Sequence, residues 1–371
     1  MALHTLDYQK PDGRRFRFFS HQPFNERILE RLQAHPGILR PGEGSSSPWR
    51  VPELRMNPLT GELVSLSASR QGRPHLPAAN QCPLCRPHSV EDALLSELPM
   101  ALPTAPPFEY DLVSFENLFP ALSPANESGI CEVILYSTDH NTHFSAMSHL
   151  HVQSIIEVWQ DRSRSLGNDP NIQCVFIFEN RGAEIGVTLH HPHGQVYAFN
   201  HIPPRLKLQL DHADRYYASH MSCLVCDLAK HHSAQTDLIL WKGEHLVAYM
   251  PQAPRFPYEI HITTLRHRPH IEDLEGPEVT ELAGLLKSVV AMYDRIFDFP
   301  LPYIMQHHQS PSHAKHLPSF HWNLQITPFH RSATKLKFLA GAETGMGFFV
   351  NDSFPEEKIL ELRKAFVWDL G

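Results

Sequence analysis

The stretch His191-Pro192-His193-Gly194-Gln195 places two imidazoles, a rigid proline, a glycine and an amide within five residues. Alternate residues of an extended chain point to the same side, Pro192 restricts the local backbone, and Gly194 permits close approach. This pattern presents His193 to a bound group such as a phosphate, because neutral imidazole is a competent nucleophile near pH 7. Gln195 can donate to a charged oxygen without titrating. An exposed histidine-rich turn is the alternative.

Composition limits the protein class. The chain has 371 residues, 42% of them hydrophobic, and a formal net charge of -8. The charge argues against a general nucleic-acid binder, and no apolar run approaches the roughly 20 residues of a membrane span. The opening residues lack the apolar core of a signal peptide. We therefore expect a cytoplasmic protein of about two domains, with neither nucleic acid nor membrane as a partner.

Six cysteines divide into two pairs and two singles. The pairs are Cys82-x-x-Cys85 and Cys223-x-x-Cys226, and in a large cytoplasmic chain this spacing suggests metal binding before disulfides. The singles, Cys131 and Cys174, adjoin apolar strand-like runs, so we expect buried structural thiols there. A pair of exposed or redox cysteines is the alternative for each Cys-x-x-Cys, although neither lies in a recognisable redox context.

The chain carries an internal duplication. After each cysteine pair come a strand pattern, a histidine, an amphipathic helix pattern, another strand and a second histidine. His140 and His191 are 51 residues apart in the first copy, and His267 and His321 are 54 apart in the second. Two thiolates and two imidazoles form a closed tetrahedral set suited to structural Zn²⁺. The duplication thus predicts two zinc sites in two similar halves.

Apolar periodicity predicts what these halves are made of. One stripe contains Val152, Ile155, Ile156 and Trp159, and another contains Leu282, Leu285, Leu286, Val289 and Ile296, as in amphipathic helices. Residues 132–136 and 259–263 read as strands, and a terminal helix is predicted from about Pro355. We expect an α+β fold of duplicated domains, each a mainly antiparallel sheet with helices packed on it.

The predicted domains follow the linear chain. Residues 1–49 form an N-terminal arm, whose Pro- and Gly-rich stretch 34–49 resembles a mobile linker. Residues 50–204 form the catalytic half with the first zinc site, and residues 205–371 form the second half. If His191 is a metal ligand, the metal anchors the strand that carries His193. The corresponding run in the second half has Asn323 in the place of His193, so only one half keeps the nucleophile.

These motifs resemble the galactose-1-phosphate uridylyltransferase family of the histidine-triad superfamily. The likeness extends from about Arg55 to Glu343 and rests on ordered blocks: Asn57-Pro58-Leu59-Thr60-Gly61, Arg70-x-x-Arg73-Pro74, Cys82-x-x-Cys85, Asn117, Asp139-His140, Phe178-Glu179-Asn180-x-Gly182, Gly186, His191 to Gln195, and Arg331-Ser332-Ala333-Thr334 before Lys337-Phe338.

The resemblance implies a double exchange between a nucleoside diphosphate sugar and a sugar 1-phosphate. His193 attacks the α-phosphorus, and the nucleotidyl-histidine passes the nucleotide to a second phosphate. By resemblance Gln195 and Thr188 donate to the α-phosphoryl group, and Arg70, Arg73 and Lys337 neutralise phosphate. Further substrate-binding positions implied by the family are Asn117, Asn180, Gly186, Phe338 and Glu343. Relatives complete each site from a second subunit, so a homodimer is expected, with Arg70 and Lys337-Phe338 in that role.

Departures from the family pattern concern the second metal site and the substrate. Well-known bacterial members hold a metal with one Glu and three His, and the matching positions here are Gln209, His308, Gln325 and Thr327. The set Cys223, Cys226, His267 and His321 instead resembles two-zinc members that include ADP-glucose phosphorylase. Leu118 stands where uridylyltransferases have Asp, and Ala342 where they have Tyr, so the nucleotide and the hexose stay open.

Three hypotheses follow. The first is transfer of uridylate from UDP-glucose to a hexose 1-phosphate, as in galactose metabolism. The second is a phosphorolytic enzyme that passes AMP from ADP-glucose to inorganic phosphate. The third is a nucleotide-binding module without turnover, which an intact His193 and Gln195 disfavour because binding alone needs no positioned nucleophile.

Overall fold

The computed structural model describes residues 3–40, 51–78, 81–85, 96–99, 110–234, 237–314 and 317–368. Within them lie fifteen strands and seven α-helices, which confirms the mixed α+β class. The strands are β1 (His4–Gln9), β2 (Arg15–Ser20), β3 (Glu53–Met56), β4 (Leu63–Leu66), β5 (Leu112–Glu116), β6 (Gly129–Leu135), β7 (Cys174–Arg181), β8 (His193–Phe199), β9 (Ile239–Lys242), β10 (Leu246–Tyr249), β11 (Ile260–Thr264), β12 (Tyr303–His308), β13 (Asn323–Pro328), β14 (His330–Ser332) and β15 (Lys335–Leu336). The helices are α1 (Ile28–Ala34), α2 (His149–Gly167), α3 (Pro204–His220), α4 (Leu224–Ala234), α5 (Gly276–Ile296), α6 (Gly341–Met346) and α7 (Pro355–Ala365).

The first compact unit comprises Met1–Thr142 and Thr188–Asn200. Its sheet is antiparallel, with β1, β2, β5, β6 and β8 side by side, and β3 and β4 form a separate hairpin. Directly opposed residues share a face of a sheet, and one such row runs Phe16, Phe115, Val133, Gln195 from β2 to β8. Aromatic and β-branched side chains on this face bury a core that includes Phe16, Phe115 and Val133. The row connects the predicted reactive strand with the N-terminal hairpin.

The second compact unit comprises His143–Val187 and His201–Gly371. Its antiparallel sheet runs β7, β12, β13, β11, β10, β9. Helices α2 and α5 pack together, and their predicted apolar stripes are buried apart from Ile296, which is half-buried. The predicted terminal helix is confirmed as α7, which buries Ile359 and Leu362.

The compact units depart from the linear order of the chain, and part of the predicted arm is regular structure. Residues 143–187 group with the second unit, because α2 packs on α5 and β7 pairs with β12. Part of the predicted N-terminal arm is regular structure, since β1 and β2 pair with each other and β2 pairs with β5. Residues 41–50 of the predicted linker lie outside the described residues. The boundaries 50–204 and 205–371 stay a prediction.

Among the described residues, no helix combines the length and the apolar character that crossing a membrane requires. Both single cysteines, Cys131 and Cys174, are buried as predicted. The Cys131 sulfur accepts a hydrogen bond from the Leu122 amide at 3.3 Å. This thiol therefore has the structural role that was predicted for it.

Candidate active site and metal centres

The first Cys-x-x-Cys pair and its two predicted histidines converge in the first unit. The ligand atoms of Cys82, Cys85, His140 and His191 all lie within 4.8 Å of one another. Three sulfur-to-Nδ1 distances are 3.2, 3.4 and 3.9 Å. Tetrahedral coordination at Zn–S and Zn–N bond lengths requires separations of about 3.5 Å between such atoms, so this donor set fits a Zn²⁺ ion.

A backbone carbonyl fixes the orientation of His191. Its Nε2 lies 2.8 Å from the carbonyl oxygen of Ser137. Since a carbonyl only accepts, Nε2 carries the hydrogen and Nδ1 keeps its lone pair toward the cysteines. Such outer contacts set the tautomer of histidine ligands in metal sites. Burial raises the pKa of Cys82, and burial together with the neighbouring Cys82 raises that of Cys85 to about 12, so the metal-free thiols are protonated.

The second predicted ligand set converges within the second unit. The ligand atoms of Cys223, Cys226, His267 and His321 also lie within 4.8 Å of one another, and the Cys226 sulfur is 3.4 and 3.3 Å from the two Nδ1 atoms. The Thr264 hydroxyl donates to the Arg266 carbonyl and accepts from His321 Nε2 at 2.7 Å. This contact again leaves Nδ1 for a metal, so both halves use the same arrangement.

The strand that follows the first cluster holds His193 in one tautomer. His193 Nδ1 lies 2.7 Å from the carbonyl oxygen of His191, so Nδ1 donates and Nε2 keeps its lone pair. Burial lowers the pKa of His193, although this backbone bond opposes the shift. The ring is therefore neutral at pH 7, which is the state that a nucleophile requires.

Gly194 is required by close packing. A Cβ atom added there would lie 2.0 Å from the Tyr136 hydroxyl oxygen, and the Tyr136 amide donates to the Pro192 carbonyl at 3.1 Å. The predicted close approach at this glycine is thus an approach by the Tyr136 side chain. Together the two Tyr136 contacts fix the backbone on both sides of His193.

A pocket in the first unit collects most of the predicted residues of this half. Its polar members include His193 and Gln195, and about half of its lining is apolar. The lining comprises Arg73, Pro74, Leu84, Glu97, Phe115, Asn117, Phe119, Val133, Thr188, Leu189, His193 and Gln195. Six residues of the lining were not predicted from the sequence, namely Leu84, Glu97, Phe115, Phe119, Val133 and Leu189. Of these, only the strand residues Phe115 and Val133 carry a usable alternation signal.

Two predicted residues of this unit bond to nearby backbone. Asn117 accepts from the Phe119 amide through Oδ1 at 2.8 Å, so its Nδ2 group is the side-chain donor toward a ligand. Arg70 donates from Nη1 to the Phe119 carbonyl at 3.0 Å. Arg70 is absent from the lining of the pocket, whereas Arg73 belongs to it.

The remaining predicted residues lie in the second unit. Lys337 donates from Nζ to Glu343 Oε1 at 2.9 Å, and both side chains are buried. This hydrogen bond lowers the pKa of Glu343 to about 2. Phe338 is 74% exposed. Asn180 lies on β7, and Gly186 has a φ of 81° after a short 3-10 helix.

Gln209, His308 and Gln325, three of the four positions that match the second metal site of other family members, bond within the protein. His308 Nδ1 contacts Gln209 Oε1 at 3.1 Å, and Gln325 Nε2 donates to Asn323 Oδ1 at 3.0 Å. Among the described residues, the groups of His, Cys, Asp and Glu suited to a metal are the two Cys₂His₂ clusters.

Two family models match the two halves of the chain. Residues 120–203 match the family model of the galactose-1-phosphate uridyl transferase N-terminal domain, and residues 209–364 match that of its C-terminal domain. The chain belongs to the galactose-1-phosphate uridylyltransferase family. This membership confirms the resemblance drawn from the motifs.

Two curated relatives illustrate the range of the family. Galactose-1-phosphate uridylyltransferase of Thermotoga maritima is 37% identical over 85% of this chain and 99% of its own length. ADP-glucose phosphorylase of Arabidopsis thaliana is 28% identical over 87% of this chain and 96% of its own. A solved uridylyltransferase structure superimposes with a TM-score of 0.72 at 27% identity, covering 84% of this chain and 98% of that one.

Proposed function

We propose that this protein exchanges a nucleotide between a nucleoside diphosphate sugar and a sugar 1-phosphate, with UDP-glucose and a hexose 1-phosphate as substrates. The observation that carries the proposal is the 2.7 Å contact between His193 Nδ1 and the His191 carbonyl. It leaves Nε2 as a lone-pair donor in a pocket that also contains Gln195, Thr188 and Arg73. The 37% identical relative named a galactose-1-phosphate uridylyltransferase supports the choice of substrate.

In the first step the Nε2 lone pair of His193 forms a bond to the α-phosphorus. The bond between that phosphorus and the oxygen bridging to the β-phosphate breaks, and the sugar 1-phosphate leaves with the electron pair. The imidazole becomes positively charged, and Nδ1 keeps its proton and its hydrogen bond to the His191 carbonyl. That bond stabilises the charge as it develops, which is the preorganised stabilisation that lowers a barrier.

In the second step an oxygen of the incoming sugar 1-phosphate attacks the same phosphorus. The P–N bond breaks, its electron pair returns to Nε2, and the second nucleotide sugar forms. Gln195 and Thr188 donate to the α-phosphoryl oxygens in both steps, and Arg73 compensates their charge. Positioning and electrostatics supply most of the catalysis in phosphoryl transfer.

The pocket also accounts for the rest of the nucleotide. Gln195 and Phe115 are two strand steps apart, about 10 Å at the usual strand spacing, which is comparable to the length of a nucleoside. We assign the apolar slot of Phe115, Val133 and Leu84 to the base. Asn117 borders the same pocket and offers Nδ2 to the sugar of the nucleotide.

Zinc is the metal that the two Cys₂His₂ sets fit best, and each closed set leaves no vacant position for catalysis. Its role is structural. In the first unit the ligand His191 lies two residues before the nucleophile, so coordination holds the start of β8. The second site, at Cys223 and its partners, stabilises its own unit in the same way.

A homodimer is part of the proposal. Phe338 and Phe348 are 74% and 69% exposed, and Met346 between them is 86% exposed. Large apolar side chains exposed in one short segment are typical of an interaction surface. We assign the segment around Lys337-Phe338 to the contact with a second copy. The two candidate substrate residues Asn180 and Gly186 are assigned to nucleotide binding, and Glu343 to sugar binding.

A second candidate is transfer of AMP from ADP-glucose to phosphate. It is favoured by the complete second Cys₂His₂ set and by the 28% identical ADP-glucose phosphorylase. Incubation with UDP-glucose or ADP-glucose radiolabelled at the α-phosphate separates the two, since the nucleotide that leaves acid-sensitive label on the wild type but not on His193→Asn is the substrate. Saturable nucleotide binding without label would instead establish the non-catalytic hypothesis.

A further inference from the structure

The lining of the pocket contains a carboxylate that nothing in the proposed chemistry uses. Glu97 lines the same pocket as His193 and Gln195, and its side chain is 10% exposed. The same lining contains Leu84, Phe115 and Val133, the apolar residues assigned to the base. A charged group is costly to bury unless it is paired, so this position requires an explanation.

Glu97 is held from two sides. Its amide donates to the Pro83 carbonyl at 2.9 Å, and Pro83 lies between the metal ligands Cys82 and Cys85. On the other side its own carbonyl accepts from Lys10 Nζ at 2.5 Å. The residue is therefore clamped between the zinc loop and the N-terminal hairpin, and its backbone is fixed by both.

The hairpin also supplies a cation to the Glu97 side chain. Arg14 Nη1 lies 3.5 Å from Glu97 Oε2, and the Arg14 side chain is fully buried. Arg14 and Lys10 both donate to the Ile38 carbonyl, at 2.7 and 3.0 Å. These bonds fix the guanidinium, so one oxygen of the carboxylate faces a rigid cation while the residue borders the pocket.

Lys10 also packs, through Phe16, against the apolar residues assigned to the nucleobase. Lys10 Nζ lies 4.9 Å above the ring of Phe16, and that ring stacks on Phe115 at 5.0 Å and 4°. Arg40, at the end of this segment, donates from Nη2 to the Asn117 carbonyl at 2.5 Å. Residues 10–40 lie outside the matched family domains, yet they contact three residues of the pocket lining.

We infer that Glu97 is a specificity-determining residue that accepts a hydrogen bond from an N–H group of the nucleobase, with Lys10 and Arg14 as positioning residues. This inference rests on the proposed function, because it assigns the apolar slot to the base. In this assignment Glu97 Oε2 faces Arg14, and Glu97 Oε1 accepts the hydrogen bond from the base. A carboxylate only accepts hydrogen bonds when ionised, so it selects a base edge that presents a donor. A site that hydrogen-bonds a substrate group discriminates strongly against analogues that lack it.

The test compares Glu97→Gln and Glu97→Ala with Glu132→Gln. Glu132 is a buried carboxylate next to Val133 on β6 and accepts from Ser114 Oγ at 2.8 Å, so it controls for the loss of a buried charge away from the pocket. For each variant kcat/KM is measured for the nucleotide sugar that labels His193 and for its analogue without the base N–H donor, N3-methyl-UDP-glucose or N6,N6-dimethyl-ADP-glucose. Because the lost acceptor no longer distinguishes the two compounds, we expect both Glu97 variants to lower the ratio of the two values at least tenfold relative to wild type and the control to stay within twofold.

A measurement on the unmodified chain covers the case in which the variants do not fold. N3-methyl-UDP-glucose lacks the ring N–H, as N6,N6-dimethyl-ADP-glucose lacks the amino hydrogens, and the analogue of whichever nucleotide labels His193 is used. We expect its kcat/KM to fall at least tenfold. An unchanged value, or an unchanged ratio in folded Glu97 variants, overturns the inference while labelling of His193 still supports the proposed function. Absence of label with both nucleotides overturns the proposed function itself.

Discussion

Asn323 donates from Nδ2 to the carbonyl oxygen of His321 at 3.3 Å, the contact that His193 makes to His191 at 2.7 Å in the first unit. In both cases a side chain on the first residue of a strand bonds to the carbonyl of a histidine of a Cys₂His₂ cluster two residues earlier. An amide reproduces this bond but has no nucleophilic lone pair comparable to that of Nε2. The second half thus keeps the geometry without the proposed nucleophile.

Restoring a histidine at the second site is expected to leave it inactive. Asn323 is 8% exposed and accepts from Gln325, and Leu324 follows it where Gly194 follows His193. The double variant His193→Asn, Asn323→His should therefore carry no acid-sensitive nucleotide label, measured by mass spectrometry of peptides after incubation with labelled substrate. Label on the peptide that contains residue 323 would contradict this reading.

Gly194→Ala tests the packing behind the nucleophile. The added methyl group lies 2.0 Å from the Tyr136 hydroxyl oxygen and 2.6 Å from its ring carbon Cζ, so we expect a loss of about 1–3 kcal/mol in the free energy of unfolding and a large fall in kcat. Thermal and denaturant unfolding measure the first, and label formation the second.

Gly276→Ala is the matched control for that change, because a Cβ atom there meets nothing within 4 Å. Its stability and activity should stay close to those of the wild type. If the Gly194 variant behaves like this control, close packing by Tyr136 does not position His193.

The two metal sites should differ in their effect on chemistry. Cys223→Ser is expected to lower the zinc content from about two to about one per chain and to cost more than about 4 kcal/mol of stability, while a folded sample still labels His193. Cys82→Ser should lose one zinc and the label together, because His191 then no longer anchors β8. Metal analysis of purified protein gives the counts.

Cys174→Ser serves as the control for the cysteine changes, since this buried thiol lies outside both clusters. Its zinc content should stay at two per chain. A Cys223 variant with unchanged zinc would remove the second site from the account.

Glu179 makes stability depend on pH. Burial raises the pKa of this carboxyl from 4.5 to about 7, although the Tyr303 hydroxyl donates to it at 3.0 Å and opposes the shift. Between pH 4.5 and 7 the folded state holds a proton that the unfolded state has lost, so the stability contributed by Glu179 falls as pH rises through this window, by at most about 3 kcal/mol.

Glu179→Gln removes this dependence. The stability of the variant relative to wild type should therefore increase between pH 4.5 and pH 7 and level off above it, as measured by denaturant unfolding across that range. A difference between the two proteins that is constant with pH would show that Glu179 is ionised in the folded state.

The residues of the two Cys₂His₂ clusters were predictable from the sequence. Cys82 and His191 are 109 residues apart and still form one cluster, and the duplicated order predicted this because metal ligands need defined residue types. The strands and helices around them were predictable from apolar periodicity. Pairing between distant strands was not, so the grouping of residues 143–187 with the second unit came only from the structure.

The N-terminal hairpin of β1 and β2 carries none of the sequence motifs, so it was not predicted. Residues 15–18 alternate polar and aromatic side chains as a strand does, yet residues 1–49 were predicted to be an arm and linker. Glu97 carried no signal, because its place in the pocket results from contacts with Lys10 and Pro83. Neither contact follows from local sequence.

The most direct test of the central claim is the site of covalent labelling. Wild-type protein incubated with UDP-glucose or ADP-glucose labelled at the α-phosphate, without acceptor, should hold about one nucleotide per chain on the peptide that contains His193. The label should be lost on adding a hexose 1-phosphate or phosphate, and His193→Asn should carry none. Label on another residue, or turnover without any labelled protein, would contradict the proposed nucleotidyl-histidine.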